Sequence, residues 1–162
     1  MEAWSRREKP NLSWSHPWAT AAATAIVRGF IGLTPLAPSF SSWQLKPQPG
    51  NATWGKIRVP SQAGFFDIAF NQTQEHCLRW GNCTGRCCER VPTSFVATIH
   101  APANTVGRVC LPKFGSPDYH VRVGTRMVLG TVDGDYVCAD GLAPAKGESE
   151  LRVERMGIHF ER

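Results

Sequence analysis

Apolar residues recur along this chain in two different rhythms. Trp18, Ala22, Ala25, Ile26, Gly29 and Phe30 stand three and four positions apart, which predicts one helix with one buried face. Ser15 is placed to cap it, Pro17 falls in the first turn where a missing N–H is harmless, and the alanines from Ala19 to Ala25 favour helix. Gly32 is the predicted stop, and Pro35 and Pro38 prevent a restart. So many small residues on the buried face imply close approach of another helix, and the rest of the chain shows no second helical pattern. After Pro38 the rhythm changes to short alternating or apolar segments between turn residues. These are Trp43 to Leu45, Trp54 to Val59, Phe65 to Phe70, Phe95 to His100, Thr105 to Leu111, His120 to Val123, Met127 to Leu129, Tyr136 to Cys138, Leu151 to Val153 and Ile158 to Phe160. Pro60 to Gly64 and Asp133 to Asp135 read as hairpin links. The predicted fold class is therefore mainly β, an antiparallel, jelly-roll-like β-sandwich preceded by one α-helix. Residues 72–92 read as a long Cys-rich insertion between two strands.

Composition narrows the function classes. With 162 residues, 42% hydrophobic and 19% charged, the chain has enough apolar material for a core and too little charge for a disordered segment. The most apolar stretch, Ala19 to Ile31, is interrupted by Arg28 and is too short to span a bilayer, so no membrane partner is expected. The excess of 18 Lys and Arg over 13 Asp and Glu gives a net charge of +5, but the basic residues are scattered. Without a basic, aromatic-laced stripe, nucleic acid is not an expected partner.

Four of the five asparagines open an Asn-x-Ser/Thr sequon: Asn11, Asn51, Asn71 and Asn82. They are candidate glycosylation sites. Cys77, Cys83, Cys87 and Cys88 crowd one polar, Gly-containing stretch, while Cys110 and Cys138 sit in strand-like sequence. Zinc sites show Cys-x2-Cys or Cys/His pairs at helical spacing, whereas the gaps here are five, three and zero residues. Disulfides in a secretory compartment are the expectation, no metal or other cofactor is expected, and the spacing does not fix which cysteines pair. Met1 is followed by Glu2, Arg6, Arg7 and Glu8 without an apolar leader. Secretory chemistry without a secretory signal predicts that the chain is a piece of something longer.

Several runs then carry a family resemblance. Met1 to Ser5 (Met-Glu-Ala-Trp-Ser), Ser13 to Trp18 (Ser-Trp-Ser-His-Pro-Trp) and Ile26 to Pro38 (Ile-Val-Arg-Gly-Phe-Ile-Gly-Leu-Thr-Pro-Leu-Ala-Pro) resemble the carboxy-terminal part of bacterial-type α-L-rhamnosidases of glycoside hydrolase family 78. The likeness continues through Leu45 to Gly50, Val59-Pro60 with Gly64, Ala101 to Val106, Val109 to Pro112, and Gly157 to Phe160. The Cys-rich stretch from about Thr73 to Arg90 lies outside it. The resemblance implies that residues 1–38 are the terminal segment of an (α/α)6 glycosidase barrel and residues 39–162 a C-terminal β-sandwich domain. It also supplies the missing neighbour for the helix, whose small-residue face would pack on barrel helices absent from this chain.

The resemblance places the family's general-base glutamate at Glu2 and a sugar-contacting histidine at His16. Trp18, with Trp4 and Trp14, would offer an apolar face to the methyl-bearing rhamnose ring. The implied reaction is inverting hydrolysis of a terminal α-L-rhamnose from a glycan or glycoside, which needs a carboxylic acid opposite the base. The family's general acid precedes this segment, and Asp67, Asp118, Asp133 and Asp135 lie in or beside strand segments. The chain alone is therefore expected to be inactive. Two other readings remain: a carbohydrate-binding module, with Trp80 as its candidate contact, or a disulfide-linked interaction module using the Cys77 to Cys88 loop.

Overall fold

The computed structural model describes residues 21–76, 90–144 and 150–156. The first element, α1 (Ala21–Thr24), continues as a π-helical stretch over Ala25–Ile31. The expected α-helix is thus wound more widely over its last seven residues, a departure for which the local sequence offers no physical signal. It ends where the sequence predicts: Gly32 adopts φ 79°, and its N–H donates to the carbonyl of Val27. A Cβ at Gly32 would lie 1.9 Å from the Lys46 carbonyl oxygen, so only glycine fits this close approach.

Among the described residues eleven strands follow: β1 (Leu33–Pro35), β2 (Ser42–Leu45), β3 (Trp54–Ser61), β4 (Gly64–His76), β5 (Arg90–His100), β6 (Val106–Pro112), β7 (His120–Val123), β8 (Arg126–Leu129), β9 (Thr131–Asp133), β10 (Tyr136–Leu142) and β11 (Glu150–Met156). They form two sheets, of order β1-β2-β6-β10-β9 and β3-β4-β5-β11-β7-β8. Every pairing is antiparallel except β2 with β6. The mainly β, two-sheet architecture matches the periodicity. Two short strands, β1 and β9, were not expected; each has only three residues, too few to show an alternation. Ile158 to Phe160 lie outside the described residues.

The expected insertion at 72–92 needs correction at both ends. β4 and β5 run into it and stay paired as far as His76 opposite Arg90, with a register shift between Thr73 and Gln74. Gln72, Thr73 and Gln74 are polar on both faces of the strand, so no apolar alternation marks them. Backbone pairing holds this arm, a contribution that hydrophobic patterning does not report.

The core lies between the sheets. Leu33, Trp43, Leu45, Val109, Leu111, Val137 and Ala139 come from one side; Phe66, Ile68, Phe70, Phe95, Ala97, Ile99, Val121 and Val153 from the other. Aromatic rings form its centre: Trp43 meets Phe66 edge-on at 5.4 Å, and Phe70 stacks on Phe95 at 5.2 Å. At one end, buried Arg155 donates to the carbonyls of Pro112, Lys113, Asp118 and His120. Its planar fork of donors ties the loop between β6 and β7 to β11.

Candidate functional site

Glu2, His16 and Trp18, to which the family resemblance assigns catalysis and sugar contact, lie outside the described residues, as do Asn11, Asn82, Trp80 and the cysteines from Cys77 to Cys88. Of the sequence-predicted features, the structure positions the helix face, two sequons and the Cys110 and Cys138 pair.

The helix leads directly into the sandwich. Phe30 packs on Phe70 of β4 with ring centroids 5.5 Å apart, and Ile31 is buried. Ala22, Ala25 and Ile26, expected on the buried face, are instead exposed, Ile26 by 50%. A Cβ added to Gly29 would meet nothing within 4 Å. Among the described residues, the sandwich therefore covers only the last turn, and the small-residue face above it is open.

Cys110 and Cys138 stand directly opposite each other on β6 and β10 and form a disulfide. Their neighbours Val109, Leu111, Val137 and Ala139 point into the core, so strand alternation turns both sulfurs to the other face of the sheet. They remain buried there. Close by, Lys46 bonds Asp133 at 2.9 Å, and Arg108 reaches Asp133 and Asp140 at 3.8 and 3.6 Å. The two sulfurs and the Asp133 carboxylate lie within 4.8 Å of one another. Bonded sulfurs offer no thiolate, so this trio is not a metal-ligand set in the disulfide form.

Asn51 precedes β3 and Asn71 lies in β4, and both are exposed. Gln72 and Gln74 of β4 donate to the carbonyls of Gly50 and Asn51, bringing the two sequons to one end of the sheet.

A constellation missed by sequence reasoning occupies the outer face of the six-stranded sheet. Strand register aligns Arg58, Asp67, His100 and Glu150 across β3, β4, β5 and β11, and beside them Lys56, Ala69, Thr98 and Arg152. A cleft of about 520 Å³ opens between these rows, lined by Lys56, Arg58, Asp67, Ala69, Thr98 and His100. Arg58 grips Asp67 with two parallel bonds, Nε to Oδ1 at 2.7 Å and Nη2 to Oδ2 at 2.8 Å. Its guanidinium also lies 5.3 Å from the Phe65 ring centroid. His100 Nε2 lies 3.5 Å from Glu150. Two aromatic residues flank the cleft, Trp54 68% and Phe65 59% exposed. The only trace of this site in the sequence is the spacing Trp54-x-Lys56-x-Arg58, three side chains on one face of a strand.

The Arg58 hydrogen bonds hold the Asp67 carboxyl below the ordinary carboxylate range, against a smaller opposing effect of desolvation. Asp118 is lowered mainly by the His120 backbone N–H, and Asp133 mainly by Lys46. A carboxyl depressed in the folded state contributes stability above its unfolded pKa, about 3.9, and loses it as pH falls through the folded value. Stability is therefore expected to decline as pH drops below about 4, with a shallower decline in Asp67→Asn. Urea midpoints followed from about pH 6 to about pH 2 check this, and an identical acid limb in Asp67→Asn would count against it.

Among the described residues no helix is long and apolar enough to cross a membrane. No protein-family model and no curated protein sequence matches the chain. Solved structures do. The α-L-rhamnosidase from Dictyoglumus thermophilum superposes with a TM-score of 0.59 at 16% identity, over 83% of this chain and 13% of that one. A Streptomyces avermitilis α-L-rhamnosidase, solved in complex with L-rhamnose, gives 0.54 at 19% identity, over 80% of this chain and 10% of that one. The chain thus spans about a tenth of the length of these two neighbours, and at these identities what it shares with them is a fold.

Proposed function

We propose that this chain is the C-terminal part of an α-L-rhamnosidase-like glycoside hydrolase. In this reading residues 1–38 end an (α/α)6 catalytic barrel, and residues 39–162 form the β-sandwich that flanks it. The observation that carries the reading is the fold likeness over 83% and 80% of the chain to two α-L-rhamnosidases. The open face of Ala22, Ala25, Ile26 and Gly29 supports it, because small residues at helical spacing suit close packing by another helix. The Cys110–Cys138 disulfide and the exposed sequons at Asn51 and Asn71 fit a protein matured in the secretory pathway.

Glu2 is the proposed general base, with His16 and Trp18 contacting the sugar ahead of the last helix. Inverting hydrolysis needs a carboxylic acid on the leaving oxygen and a carboxylate activating water on the opposite face, roughly 6.5–9.5 Å apart. The acid and most of the sugar pocket belong to earlier barrel helices. General acid–base help is worth about 10²- to 10⁴-fold per group, and positioning the sugar contributes further. The 162-residue chain assayed alone on an aryl α-L-rhamnoside is expected to give no turnover above buffer. Activity that Glu2→Gln removes would overturn this expectation. The hydrolase reading itself is tested at the coding sequence upstream of Met1. An in-frame acidic, tryptophan-rich helical region is expected there, and a promoter with a stop codon would overturn the reading.

A further inference from the structure

We infer that the cleft across β3, β4 and β5 is a binding site for a carboxylate-bearing saccharide. This goes beyond the hydrolase reading and does not depend on it, because the lining comes from the sandwich alone.

Size and shape come first. At about 520 Å³ the cleft falls within the range of small-ligand sites. Ala69 and Thr98, cross-strand neighbours in its floor, are small enough to leave room between the longer side chains around them.

The polar groups come next. The bidentate Arg58–Asp67 pair is fixed in geometry, and Arg58 is braced further by Phe65. It therefore presents guanidinium donors and carboxylate lone pairs in set directions, which suits sugar hydroxyls, themselves both donors and acceptors. The Thr98 hydroxyl and the His100 ring line the same space.

Charge then selects among sugars. Among the described residues Asp67 is the only carboxylate in the lining, and Arg58 already occupies it. Beyond the cleft on β11, Arg152 pairs with Glu154 of the same strand, and Glu150 faces His100. Lys56 makes no ion pair among the described residues and stands at the cleft wall. It is the natural partner for a carboxylate on the ligand. The charged cluster over the other sheet differs in this respect, since Lys46 and Arg108 there are matched by Asp133 and Asp140. The exposed rings of Trp54 and Phe65 beside the cleft add apolar faces for the C–H side of a pyranose.

Calorimetry on the full chain, produced without N-glycans so that Asn71 is bare, tests the assignment. Digalacturonate is expected to bind, and its methyl ester at least about tenfold more weakly, the cost of losing one charge-assisted hydrogen bond. Lys56→Gln should weaken digalacturonate binding by about tenfold and leave the weak binding of the ester unchanged. Ala69→Phe should abolish both by filling the floor. Either variant is scored only with an unchanged circular dichroism spectrum, and His100→Gln, expected to weaken digalacturonate several-fold, replaces one that fails to fold. No binding at millimolar concentration, equal affinity for acid and ester, or equal binding of acetate or a glutamate-rich peptide would overturn the assignment. So would affinity unchanged by all three substitutions.

Discussion

Trp43→Ala is expected to cost about 3–5 kcal/mol of folding stability, measured as a shift in the urea midpoint at constant slope. Trp43 is fully buried between the sheets, edge-on to Phe66. Its ring also occupies the space over Gly107 on the parallel partner strand, where a Cβ would lie 2.4 Å from the indole. Glycine at 107 is thus the complement of tryptophan at 43. The indole N–H donates to the Thr105 hydroxyl at 3.1 Å, which itself donates to the Pro102 carbonyl at 2.7 Å. Removing the ring leaves a cavity between the sheets and removes one donor from a buried hydroxyl. Trp43→Phe keeps much of the apolar volume and should cost less, about 1–3 kcal/mol. A loss below about 1 kcal/mol for Trp43→Ala would show that the sheets close over the gap.

The second large effect is expected from the Cys110–Cys138 disulfide. The bond closes a loop with a sequence separation of 28. Loop-closure entropy puts its contribution at about 3–4 kcal/mol, in the chain-entropy account of disulfide stabilisation. The clean comparison is the double variant Cys110→Ala with Cys138→Ala, because a reductant does not act on one bond selectively in a chain of six cysteines. Both sulfurs are buried, so the folded protein should keep this bond in mild reductant and lose it only when denaturant is added. Peptide mass mapping under the two conditions checks the second point. Equal stability of the double variant and the native chain would mean that β6 and β10 are held wholly by their ladder and core residues.

Much of the fold is legible in the chain's own pattern. The β segments from Trp43 to Val153, the turn between Ser61 and Gly64, the Gly134 turn and the helix stop at Gly32 all follow from local rules of side-chain alternation and backbone freedom. The length of β4 and β5 is not legible, because Gln72 to Gln74 carry no apolar alternation. Nor is the exposure of the helix face. Ala22 and Ala25 have the spacing of a packed helix whether or not a partner is present.

The candidate site divides along the same line. Glu2, His16 and Trp18 stand out through likeness to a family, and Asn51 and Asn71 through a short motif. Lys56, Arg58, Asp67, Thr98 and His100 carry no motif at all, since charged residues at alternate strand positions are the ordinary pattern of a wet sheet face. What the amino-acid sequence determined by itself is most of the elements, the three-residue strands β1 and β9 excepted, and which face of each is apolar, because both depend on residues only a few positions apart. What only the tertiary structure decided is pairing: β2 beside β6 in parallel, Cys110 opposite Cys138, and Arg58, Asp67 and His100 in one row. Those choices rest on how two apolar faces fit together across long stretches of chain, and no local preference encodes that fit.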